Sequence, residues 1–341
     1  MSTEPSSEAW KKMVLRSMPP PAWLEVDAPD GDVVISSRFR AARNLCGLPF
    51  PHLANPEQLR AVQSAVKKSV ETCPIQLESM NNLSEAERDY LLSSRLLSPD
   101  FDHREIGRSV LIDRDRVVSV MVNEEDHIRL QVLTGGWSAW SAEETGRQLL
   151  NHLENGLNTM YHPDLGPLTA SPSNLHGGER RSALFHLIGL AQTKRLKRMI
   201  QSLTVIGLTA RGLYGESSRA VGAFIQVSAT RSSDADFRGA CNQVIREERM
   251  ARREVRRDEL ADRAGQAVEY AITSKEISLR DALLVLGWVR WASSADIEGF
   301  RTPPRAVDSW TAMMEFYGTQ DPKIASQHRA IYLRQRLESM N

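Results

Sequence analysis

From Val33 to Arg40 the chain reads VVISSRFR. Apolar and polar positions alternate, so Val33, Ile35 and Phe39 are expected on one face of a strand and Ser36, Arg38 and Arg40 on the other. The same period of two returns at 127–133, where Ile128, Leu130 and Val132 alternate with His127, Arg129 and Gln131. Continuing that parity puts Glu125 on the polar face with Arg129. Between these segments, helices are predicted over 56–72 and 84–97, the second opened by a capping box of Ser84 and Glu87. A hairpin joins 108–112 to 117–122 through a polar DRDR turn. The stripe Leu149, Leu150, Leu153 and Leu157 predicts an amphipathic helix over Ser141–Met160, capped by Ser141 and Glu144. Further strands are expected at 202–208 and 221–228. After about residue 235 the pattern is helical, with a long charged stretch from Val244 to Arg263 and a boundary expected near 240–265.

Composition changes this picture little. The 341 residues carry 43 Lys and Arg against 43 Asp and Glu, with 41% hydrophobic and 6% aromatic residues, as in ordinary globular proteins. Zero net charge removes a chain-wide argument for nucleic-acid or anionic-membrane binding, so any anion site must be local. The longest apolar run, Ala282 to Val289, is too short to span a bilayer. Cys46, Cys73 and Cys241 are far apart, with no CxxC pair, and suggest neither a disulfide framework nor a thiolate metal site. These features predict a cytoplasmic protein with no membrane or nucleic-acid partner.

Candidate chemistry lies in arginines and carboxylates. There is no Walker loop, no GxGxxG after a strand, no HExxH and no GxSxG, and no residue spacing points to a protein-held metal. Arg38 and Arg40 are two apart and can present two donor forks to one anion. Arg129 shares a face with Glu125, Arg180 follows Gly177 and Gly178, and Arg211 opens the turn RGLYGE that ends at Glu216. Gathered round one cleft, these arginines would clamp a triphosphate. Taken alone, Arg38 and Arg40 read as a solvated strand face, and His127 reads as a satisfied structural histidine rather than a base.

The segments SSRFRAARN at Ser36–Asn44, NEEDHIRL at Asn123–Leu130 and RGLYGE at Arg211–Glu216 resemble those of the guanidino (phosphagen) kinases. The similarity is greatest to the bacterial branch that phosphorylates arginine side chains of proteins. The resemblance implies an α+β fold, an antiparallel sheet flanked by helices, with ATP and Mg²⁺ in the cleft. It divides the chain into a flexible arm (1–23), a guanidino kinase catalytic domain (24–250) and a helical C-terminal domain (251–341). The implied phosphate ligands are Arg38, Arg40, Arg129, Arg180 and Arg211. The wider nucleotide site takes in Ser36, Ser37, Phe39, Arg95, Arg181, Ser182, Ala183, Leu184, Gly212, Leu213, Tyr214 and Gly215.

By the same resemblance Glu125 aligns the guanidinium and accepts its proton, Glu216 is its partner, and Glu124 orders the magnesium shell through water. Ser171, in ASPSN, stands where the family has a cysteine beside the substrate. Arg95 replaces a histidine, and Ala325–Ala330 (ASQHRA) keeps only Arg329 and Ala330 of a phosphoarginine-binding RDxxRA motif. About 25 residues precede the first strand, too few for the helical domain of small-molecule phosphagen kinases, so a protein substrate is expected. A homodimer is left open. A second reading is a catalytically weakened relative that binds nucleotide or a partner as a regulatory module.

Overall fold

A computed structural model describes residues 20–25, 27–79, 81–101, 105–171, 174, 177–212, 221–229, 233–314 and 321–340. Most of the arm expected over 1–23 lies outside these residues; a short helix α1 begins at Ala22 and ends at Glu25. The strands are β1 (Val34–Arg43), β2 (Leu77–Ser79), β3 (Ser109–Asp113), β4 (Val118–Val122), β5 (Ile128–Gly135), β6 (Tyr161–His162), β7 (Gly166–Pro167), β8 (Glu179–His186), β9 (Leu208–Gly212) and β10 (Phe224–Ala229). Eight form one antiparallel sheet in the order β2-β3-β4-β5-β1-β8-β10-β9, while β6 and β7 make a separate hairpin. β1 is central, paired to β5 on one side and β8 on the other. The basic strand read from the sequence is therefore flanked on both sides.

The helices are α2 (Pro56–Val70), α3 (Glu85–Ser93), α4 (Ala139–Gly156), α5 (Ile188–Gln192), α6 (Leu196–Val205), α7 (Asp234–Glu254), α8 (Arg257–Thr273), α9 (Leu279–Ser294), α10 (Pro304–Met313) and α11 (Pro322–Glu338). On one face of the sheet, Phe39, Leu130, Val132 and Val120 bury against Val62 and Val66 of α2 and Leu149, Leu150 and Leu153 of α4. Gly146 allows the close approach, since a Cβ there would lie 2.2 Å from the Phe39 ring. Phe185, Ile225 and Val227 on the same face bury against Phe237, Val244 and Ile245 of α7. On the opposite face, Leu133, Leu184 and Phe224 bury against Leu283, Leu286, Val289, Val307 and Leu333 from the C-terminal helices. Val110, Ile112 and Met121 of β3 and β4 belong to the same cluster, and the polar part of that face carries the arginines of β1, β5 and β8.

Several sequence expectations are corrected by this packing. A β-bulge between Val34 and Ser36 sends Ile35 to the cluster under the C-terminal helices, not to the face of Phe39. The predicted strand at 202–208 is helical through Val205, and β9 begins at Leu208. The helix expected from Ser141 starts at Ala139 with no side-chain cap. It stops at Gly156, because the next residues run extended beside β1, with Leu45 bridging Thr159 and the Met160 N–H donating to the Asn44 carbonyl. The capping box of Ser84 and Glu87 is present. The charged stretch 244–263 is two helices, broken where Val255 and Arg256 turn extended.

Candidate active site

Register decides which side chains share the polar face. Arg38 pairs with Ser182 and Arg40 with Arg180 across β1–β8; Ala42 pairs with Arg129 across β1–β5; Ser182 pairs with Ser228, and Gln226 with Arg211, further out. Because side chains alternate across a strand, Ser36, Arg38, Arg40, Arg129, Arg180, Ser182 and Arg211 fall on one face. The Arg38 guanidinium donates to Ser182 Oγ and to Gln226 Oε1, both at 3.2 Å. Arg95, in a left-handed backbone conformation with φ 62°, donates to Ser36 Oγ at 3.3 Å and lies over the Trp23 ring. Gln131 fixes it by donating to the Arg95 carbonyl at 2.7 Å.

These cations repel one another. Burial, with Arg95, Arg129 and Arg180 close by, lowers the Arg38 pKa to about 9. Burial and the same kind of neighbours push Arg40 well down, and Arg180 is lowered by burial, Arg211 and Arg129. The Nε atoms of Arg40 and Arg180 are buried without a hydrogen-bond partner. A cluster of half-buried cations with open donors is suited to take an anion.

The carboxylates enter from the Asn123–His127 turn. Asn123, at φ 58°, donates from its side chain to the carbonyls of Leu59 and Gly107. Glu124 is buried and accepts from Arg129 Nη1 at 2.6 Å and from the Glu125 N–H at 3.0 Å. Burial works to raise its pKa, but Arg129 and these hydrogen bonds outweigh it and hold Glu124 low. Glu125 is exposed and has the opposite shift, raised by partial burial, Asp126 and Glu124 against the pull of Arg129. The two adjacent glutamates are thereby separated: Glu124 is a fixed counter-ion and Glu125 a free carboxylate.

Glu125, Arg40, Arg129 and Arg180 line one pocket of about 120 Å³, together with Asp126, Asn174 and Gly178. Asp126, buried and with a raised pKa from its burial, accepts from Asn44 Nδ2 and from the Ala170 N–H, both at 2.6 Å. It ties the loop that carries Ser171 to the glutamate turn; the Ser171 carbonyl accepts from Thr169 Oγ1 and the Asn174 N–H. Neither Asp126 nor Asn44 was singled out by sequence reasoning, although both stand inside quoted motifs. His127 accepts at Nδ1 from the Leu45 N–H, so its Nε2 carries the proton and donates to the Pro49 carbonyl. It is a neutral structural histidine, as its lowered pKa in a buried setting requires.

Not every predicted residue reaches the cleft. Ser37, Phe39, Arg181 and Ala183 occupy alternate positions and point to the other face. Ser37 Oγ donates to the Gly136 carbonyl, and Arg181 is paired with Glu143 at 2.7 Å, beside the Phe39 ring. Leu184 belongs to the apolar cluster under the C-terminal helices. Gly212 ends β9 next to Arg211, while Leu213, Tyr214, Gly215 and Glu216 lie outside the described residues.

A sheet with an arginine-walled pocket and one free carboxylate is built to hold a polyphosphate beside a cationic acceptor. The chain belongs to the ATP:guanido phosphotransferase family: the model of its C-terminal catalytic domain matches residues 57–234. It is an ATP-using guanidino phosphotransferase. Among similar curated proteins, the protein-arginine kinase of Pelotomaculum thermopropionicum is 35% identical over 279 residues, covering 76% of this chain and 78% of that one. That of Desulforamulus reducens is 38% identical over 258 residues, covering 72% of each. Similar solved structures include a lombricine kinase, with TM-score 0.57, 21% identity and coverage of 68% of this chain and 72% of that one. A duplicated taurocyamine kinase from Schistosoma mansoni also has TM-score 0.57, at 20% identity, covering 68% of this chain and 34% of that one. These two share the fold.

Proposed function

We propose that this enzyme transfers the γ-phosphoryl group of ATP to arginine side chains of proteins. The observation that carries the reading is Glu125, which opens into the same pocket as Arg40, Arg129 and Arg180. The relatives named protein-arginine kinases, matched over most of their length, support a protein as the source of the guanidinium. Arg38, Arg40, Arg129, Arg180 and Arg211 take the phosphates, offsetting negative charge that builds as the phosphoryl group moves. Glu125 grips the guanidinium and accepts one proton from the attacking nitrogen as its bond to phosphorus forms. The bond from phosphorus to the bridging oxygen breaks, and ADP leaves with that electron pair.

A guanidinium pKa above 12 makes this proton transfer the difficult part, and the raised pKa of Glu125 narrows the gap. The family resemblance assigns Ser171 to the substrate side and makes Glu216, which lies outside the described residues, the partner of Glu125. Among the described residues no cluster of three His, Cys, Asp or Glu side chains could hold a metal. If magnesium accompanies the nucleotide, Glu124 would order the water around it, since Arg129 and the Glu125 N–H already occupy its oxygens. Bound there, magnesium adds charge neutralisation. No feature of the cleft favours the regulatory-module reading.

The test is incubation with ATP and an arginine-containing polypeptide, with ADP and N-phosphorylated arginine measured at non-acidic pH. Stoichiometric appearance of both is expected. Transfer to a small free guanidine with none to polypeptide arginine would overturn the reading.

A further inference from the structure

A second arginine-walled cavity lies where α7 breaks into α8. It has a volume of about 520 Å³, and its charged lining is Arg249, Arg252 and Arg253 of α7, Arg257 of α8, and Asp32. The rest of the wall is largely apolar, with Val255, Leu260 and Trp291 packed in one cluster. Residues three and four apart share a helix face, so Arg249, Arg252 and Arg253 turn the same way. The extended backbone at Val255 and Arg256 then brings Arg257 into the same cavity.

Two of the four arginines are committed. Arg249 grips both Asp32 carboxylate oxygens, at 2.6 and 2.9 Å, and Asp30 at 2.7 Å. Arg252 pairs with the buried Glu248 at 2.6 Å and donates to the Asp32 and His186 carbonyls, both at 2.9 Å, and to Ser294 Oγ at 3.3 Å. These bonds fix one side of the cavity. The other two arginines are exposed, and among the described residues neither has a carboxylate partner. Arg257 donates only to the Asp296 carbonyl, at 2.9 Å, and Arg253 makes no hydrogen bond.

We infer that this cavity is an anion site separate from the catalytic cleft, taking a small organic phosphate whose phosphate group lies between Arg253 and Arg257 and whose body lies along the apolar wall. The ligand class follows from charge and shape. A carboxylate brings one negative charge to two unpaired guanidinium groups. A phosphomonoester brings about −1.5 to −2 at pH 7 and three acceptor oxygens, which suit two donor forks. Apolar wall beside those forks favours an organic group on the phosphate over the bare ion. The lining shares no residue with the arginines of the sheet, nor with the Ala325–Ala330 segment of α11.

The experiment is calorimetric titration of the full chain, free of nucleotide, with phenyl phosphate, benzoate and inorganic phosphate. Benzoate has the ring and one charge; inorganic phosphate has the charge and no ring. Phenyl phosphate is expected to bind about tenfold more tightly than either. Arg253→Ser/Arg257→Ser should weaken it by about tenfold or more, with Tm and turnover on an arginine substrate unchanged. Arg253→Ser alone, which breaks no bond within the protein, should weaken it by about fivefold and serves if the double variant loses Tm. Arg40→Met, altered in the catalytic cleft, should bind phenyl phosphate as the parent does. Equal affinity for the three probes, no binding of phenyl phosphate, or binding that both cavity variants retain in full would overturn the site. Binding that is lost in Arg40→Met would place the probe in the cleft and overturn it as well.

Discussion

Arg40→Met should weaken ATP binding while leaving the ligand-free protein at least as stable as before. The side chain is buried among Arg38, Arg129 and Arg180, and its Nε has no partner. Methionine keeps most of the apolar stem and removes a half-buried charge whose favourable neighbour Glu124 is already paired with Arg129 at 2.6 Å. Removing a charge that its cationic neighbours repel leaves the ligand-free protein no less stable. With ATP bound the balance reverses, because the same guanidinium supplies a charge-assisted hydrogen bond worth about 1.5 to 3 kcal/mol, or roughly 10- to 150-fold in Kd. Calorimetric titration measures the affinity, and thermal unfolding with and without ATP measures the stability. The ligand-free Tm should hold or rise and the ATP-induced gain in Tm should shrink. An unchanged Kd with a lowered ligand-free Tm would mean that Arg40 is a structural pillar, and the phosphate assignment of this face would fail.

Three other perturbations separate the roles. Glu125→Gln should keep ATP affinity within about twofold and lose more than about 90% of turnover, since the amide has the shape but cannot take the proton. In the parent enzyme kcat/KM should fall with decreasing pH above the ordinary carboxylate value of 4.5, because Glu125 must be ionised and its pKa is raised; a pH–rate profile without that limb would refute the assignment. Glu143 has a pKa of about 2 against an ordinary 4.5, lowered chiefly by its hydrogen bond with Arg181. Its stabilisation is therefore complete above about pH 4.5 and disappears as pH falls through 2, so Glu143→Gln should cost about 2 to 3 kcal/mol at pH 7 by urea unfolding and nothing near pH 2. Ser171→Cys should raise turnover and create an alkylation site that arginine substrate protects, because an electropositive pocket favours thiolate; alkylation that neither ATP nor substrate slows would place Ser171 outside the cleft.

Much of the cleft was legible because a strand has a period of two. Once Arg38 and Arg40 are on one face, antiparallel register brings Arg180, Ser182 and Arg129 onto it, the residues that the family resemblance implies. The same rule shows why Ser37, Phe39, Arg181 and Ala183 could not all be nucleotide ligands: a run of consecutive strand residues serves two faces, and Arg181 spends its charge on Glu143 beneath the sheet. What the sequence could not show is pairing at long range. Asp126 reads as one more acid in a charged turn until the fold carries Ala170 to it.

The strongest example is Arg305 in α10, which no local pattern marks. It donates to the Ile35 carbonyl at 2.7 Å and to the Trp23 carbonyl at 2.5 Å, and forms part of a buried ion group with Asp308 and Arg290. Ile35 is the residue at the bulge, where one extra position shifts the parity of β1. The arginine held there by the C-terminal helices therefore secures the strand at the point from which Ser36, Arg38 and Arg40 turn toward the cleft. Helix α10 thus acts on the proposed phosphate site through the backbone of the central strand.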